Sequence, residues 1–77
     1  MAHQTLKELQ VGHRARVEAF STIDAGHRRK LMAYGLLPGI MIDLLQVRPN
    51  YVIRIDHMEL AIDAEVAAKI YISKDKV

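Results

Sequence analysis

The sequence predicts a mainly β domain, with about five short strands and one short helix inserted after the first long strand. Three observations carry this reading. Apolar and polar residues alternate with a period of two over 14–20 and through most of 40–62. Between those stretches, Arg28 to Tyr34 are mostly good helix formers, and Gly35 stops them. Turn-forming residues then recur at Pro38-Gly39, Arg48-Pro49-Asn50 and Asp56-His57, cutting the alternating stretch into short runs.

Taken in order, Leu6 and Leu9 stand three apart ahead of Gly12, which predicts an irregular turn pinning the N-terminal segment to the core. Thr5 to Leu9 carries no evident chemistry. Over Arg14 to Phe20, Ala15, Val17 and Ala19 share one face and Arg14, Arg16 and Glu18 the other, as expected of a first strand. Asp24 is the best N-cap for a helix of about ten residues, and His27, Leu31 and Tyr34 form its inward stripe, with His27 packed rather than ligating. With Gly35 just past the C-cap, Leu36 folds back onto Leu31 in a Schellman motif. Leu37-Pro38-Gly39-Ile40 has Pro and Gly at the central positions of a type II turn.

The second half reads as strand after strand. Ile40, Ile42 and Leu44, then Tyr51, Ile53 and Ile55, then Met58, Leu60 and Ile62 are the inward positions. Asn50 and Asp56 supply residues that tolerate the left-handed region in the two intervening turns. Asp63 caps a single helical turn, Ile70 and Ile72 face inward from a last strand, and Ser73 to Val77 are expected to fray. So many short strands leave fewer open apolar edges if they curl into a small barrel, which predicts an SH3-like β-barrel. Without repeats or a linker, 1–77 is expected to be one domain.

Composition excludes several functions. No cysteine is present to make a disulfide or a thiolate metal site. No apolar run approaches the ~20 residues that span a bilayer, and the polar N-terminus does not resemble a secretory signal, so a soluble, cytoplasmic, non-membrane-spanning chain is expected. Eleven Lys and Arg against nine Asp and Glu give a net charge of +2, and with 5% aromatics no nucleic-acid partner is expected. Neither a convergent catalytic set nor a phosphate loop is present, so no enzyme activity and no cofactor are expected.

Arg28, Lys30-Leu31, Gly35-Leu36 and Pro38-Gly39 together resemble the signature of the ferrous iron transport protein A (FeoA) family. Weaker matches are Leu9, Gly12, Ala15 and Val17 before the helix, and Leu60-Ala61-Ile62, Ala67 and Ile70 after it. The resemblance runs from Thr5 to Ile72, and two features depart from it. The hairpin tip is short, with Pro49 leading through Asn50 straight into Tyr51, and Val66 stands before Ala67 where the family tends to have a glutamate. The resemblance implies a cytosolic SH3-like barrel that acts as an adaptor, binding and modulating the cytoplasmic part of a ferrous iron permease with a GTP-binding domain.

On that reading the structural motif is Leu31, Gly35, Leu36, Pro38 and Gly39. The candidate partner-binding residues are Arg28, Arg29, Met32, Leu37 and Met41, cationic or apolar side chains that a core this small cannot all absorb. Divalent-metal sensing is a second reading, resting on His57 and Glu59, which share a strand face two residues apart and lack a third ligand in sequence. A third is a small nucleic-acid-binding barrel. An exposed apolar patch would also suit a homodimer.

Overall fold

The computed structural model describes residues 4–74. In chain order the elements are β1 (Gln4–Thr5), β2 (Arg14–Phe20), α1 (Ala25–Ala33), β3 (Met41–Gln46), β4 (Tyr51–Ile55), β5 (Met58–Ile62), α2 (Ala64–Ala67) and β6 (Ile70–Lys74). All strands join one antiparallel sheet in the order β1-β6-β2-β3-β4-β5. The predicted strands and both helical segments are present, joined by a two-residue β1 that is too short to carry a period-two signal.

The core is wholly aliphatic. Leu6, Val17, Leu36, Ile42, Leu44, Ile53 and Ile70 are its largest fully buried side chains, and among the described residues no polar or charged side chain is buried with them. A buried polar group without a partner would cost free energy, and this core contains none. Leu6 and Leu9 belong to it as predicted, held by an unpredicted device. A turn of 3-10 helix at Leu6–Glu8 starts from a capping box, in which the Thr5 N–H donates to Glu8 Oε2 at 2.7 Å and the Lys7 N–H donates to Thr5 Oγ1 at 3.3 Å. The T-x-x-E spacing was its signal.

β2 departs from strict alternation. A register shift between Val17 and Ala19 against β6 breaks the pleat there, so Ala15 and Val17 are buried while Ala19 is exposed and Phe20 turns against the core. The expected inward position of Ala19 is therefore wrong by one bulge. Ser73 and Lys74, expected to fray, instead pair with Arg16 and Ala15; residues 75–77 lie outside the described residues.

Candidate functional site

The end of α1 folds as its letters dictate. The Gly35 N–H donates to the Met32 carbonyl at 2.9 Å and the Leu36 N–H to the Leu31 carbonyl at 3.2 Å, the two bonds of a Schellman motif, with Gly35 at φ 96°. Next, the Ile40 N–H donates to the Leu37 carbonyl at 3.2 Å with Gly39 at φ 97°, which completes the type II turn. That turn is stitched to the sheet: the Gly39 N–H donates to the Val17 carbonyl at 2.6 Å, and the Val17 N–H to the Ile40 carbonyl at 2.8 Å. Arg16 Nη1 adds a contact to the Gly39 carbonyl at 3.3 Å.

Because Leu31 and Leu36 are drawn into the core, the residues around them are left outside. Met32 is 38% exposed and Leu37 39%, while Met41 is half-buried at the start of β3. Arg28 and Arg29 are exposed on α1 beside Lys30, and no acid lies within that helix.

The expected inward stripe of α1 reduces to one residue. Leu31 is buried, but His27 and Tyr34 are exposed, because a helix tied down at its C-terminal end needs only one anchor. Tyr34 turns instead toward the β4–β5 hairpin. There Asp56 takes φ 59°, as its residue type allows, whereas Asn50 in the other hairpin does not enter that region. A Cβ built on Gly35 would stand 3.7 Å from Ile55 Cγ2, so the hairpin and the helix end are neighbours. Tyr34, Gly35, Ile55, Asp56, His57 and Met58 line one cleft of about 410 Å³.

Sequence reasoning assigned both Tyr34 and Met58 to the interior, yet they are 41% and 39% exposed. Their positions were the overlooked signal: the C-cap of a helix and the first residue after a two-residue turn are both where a face runs out of core. Ile55 and Asp56 are shared with a second cleft of about 540 Å³, which Met41 and Ile40 also line. Its charged wall is a cross-strand ladder in which Asp43 meets Arg14 Nε at 3.0 Å and Arg54 Nη2 at 3.7 Å. Arg54 stands opposite Glu59 in the next register pair.

His57 lies in the turn and Glu59 on β5; among the described residues no three His, Cys, Asp or Glu side chains come together as a metal site. No helix among the described residues is long and apolar enough to cross a membrane.

The FeoA domain family model matches residues 4–74. Among solved structures, the FeoA protein from Chlorobium tepidum superposes with a TM-score of 0.85 at 27% identity, over 92% of this chain and 70% of that one. An iron uptake regulatory protein (FeoA) superposes with a TM-score of 0.79 at 24% identity, over 96% and 99% of the two chains. The fold also matches T. acidophilum IdeR with a TM-score of 0.88 at 21% identity, over 97% of this chain but only 35% of that longer one. No curated protein matches by sequence. The small SH3-like fold expected from the strand pattern is the one this chain has.

Proposed function

Since the chain belongs to the FeoA domain family, we propose that it is a non-catalytic accessory protein of ferrous iron uptake, which docks on the cytoplasmic part of a ferrous iron permease with a GTP-binding domain and modulates it. The observation behind this reading is the collar of apolar side chains around Gly35: Met32, Tyr34 and Leu37 before and after it in sequence, and Met58 across the cleft. Exposed apolar groups gathered in one place mark interaction surfaces more often than they serve the monomer. Arg28 and Arg29 flank the collar and favour an acidic rim on the partner, speeding encounter more than adding affinity. The protein acts in the cytoplasm on this reading, where such a permease presents its GTP-binding domain.

Leu37→Asp is the decisive variant. The Leu37 backbone bonds survive the change and its side chain is outside the core, so the fold persists. Pull-down of the permease's cytoplasmic part is expected to be lost while circular dichroism stays that of the wild type. Undiminished retention overturns the docking face.

A further inference from the structure

We infer that the open edge of β5, with the cleft between it and α1, receives an acidic, extended peptide segment of a partner protein, which adds to the sheet as a further antiparallel or parallel strand. This goes beyond the permease reading; it shares Tyr34 and Met58 with the collar around Gly35 but makes no use of Leu37 or Met32.

Two edges end the sheet, β1 and β5, and they are unlike. β1 has two residues and offers little to pair with, whereas β5 has five and runs against β4 with no break in register. Edge strands are ordinarily blunted by charged side chains, proline or a bulge, and Met58-Glu59-Leu60-Ala61-Ile62 has neither proline nor bulge and a single charge, Glu59. The register pairs Ile55 with Met58 across the two-residue turn, so Met58, Leu60 and Ile62 direct their main-chain groups toward β4. Glu59 and Ala61 therefore direct their N–H and C=O groups to the open side. Neither takes part in any of the main-chain hydrogen bonds made outside the helices and strands, and both residues are exposed.

Across a cleft from β5 stands α1. His27, Lys30 and Tyr34 of α1 and Leu60, Ala61 and Ile62 of β5 line a cleft of about 260 Å³, with the buried Leu31 and Val66 also on its wall. Asp63 closes one end as the one acid in the lining, its carboxylate accepting from the Val66 N–H at 2.9 Å. The helix side of the cleft carries His27 and Lys30, with Arg28 and Arg29 next to them outside its lining and no acid in the helix, and the strand side carries Glu59, also outside the lining. Unpaired main-chain groups select an extended backbone, and the basic wall selects acidic side chains on it. A second copy of this chain is the poorer occupant, because pairing β5 with itself about a two-fold axis would bring two such basic helices to one edge.

The test uses a capped eight-residue peptide alternating valine and glutamate, and amide hydrogen exchange of the full chain by NMR. At saturating peptide, the Glu59 and Ala61 amides are expected to exchange about tenfold more slowly, as newly bonded amides do. The same peptide N-methylated on alternate residues, or with lysine for glutamate, gives no such slowing. Lys30→Glu is expected to weaken the valine–glutamate peptide about fivefold, the scale of one exposed charge pair. No slowing at millimolar peptide overturns the proposal, as does equal slowing by the N-methylated peptide. Slowing that grows with protein concentration and no peptide also overturns it, assigning the edge to a second copy.

Discussion

The two helices begin alike and end as opposites. Each is capped by an aspartate whose carboxylate accepts the N–H three residues on, Asp24 from His27 at 3.1 Å and Asp63 from Val66 at 2.9 Å. Yet α1, with nine residues, buries only Leu31, whereas α2, with four, buries both Val66 and Ala67. Length is therefore no guide to structural weight here. α2 links β5 to β6 and packs near the 3-10 turn at Leu6–Glu8, so it seals the core; α1 is an excursion between β2 and β3, free to present its surface.

The sharpest way to break that contrast is to put the same charge on both helices. Ala67→Glu forces a carboxylate into a fully buried position and is expected to cost more than about 4 kcal/mol, most of the stability of a domain this size. Ala33→Glu, on the exposed side of α1, should stay within about 0.5 kcal/mol. Urea unfolding of both variants followed by circular dichroism gives the comparison, and similar costs would erase the distinction between seal and display.

A smaller effect is expected at the junction where α1 is tied down. Gly35→Ala should cost about 1–2 kcal/mol, the penalty for a side chain in the left-handed region. The added methyl group would meet Ile55 at an ordinary 3.7 Å, so the whole cost is conformational. Gly39→Ala, at φ 97° with open space around it, should match it closely in the same unfolding measurement, and a large difference between the two would mean that packing contributes.

Smallest is the difference between the caps. Removing either aspartate costs about 0.5–2 kcal/mol, with Asp63→Ala toward the upper end because its bond is partly buried and Asp24→Ala toward the lower because its bond is exposed. Thermal unfolding of the pair resolves the order, and equal shifts would make capping indifferent to what the helix seals.

What could be read from the letters divides along the same line. Gly35, Pro38 and Gly39 dictate their own backbone angles, so the Schellman motif and type II turn were legible residue by residue, as were both aspartate caps. The bulge at Val17/Ala19 was not, because Ala15, Val17 and Ala19 alternate perfectly and only the register of β6 displaces the last of them. The outward turn of Tyr34 and Met58 was hidden for a similar reason. Each is a large apolar residue at the right period, and its exposure is set by how far the sheet extends beneath it. Local conformation was readable wherever one residue decides it, and burial only where the neighbouring strand had already been placed.

Pairing of β1 with β6 sets Gln4 opposite Ile72 and Thr5 opposite Tyr71, which makes entrance and exit of the fold immediate neighbours. A polypeptide can run in at one and out at the other without stretching across the sheet, so the unit behaves as a cassette. Splicing it into a longer protein, or closing these ends and opening a different turn, demands only a short closure of modest entropy. Modularity of that kind follows from one pair of antiparallel residues at each margin.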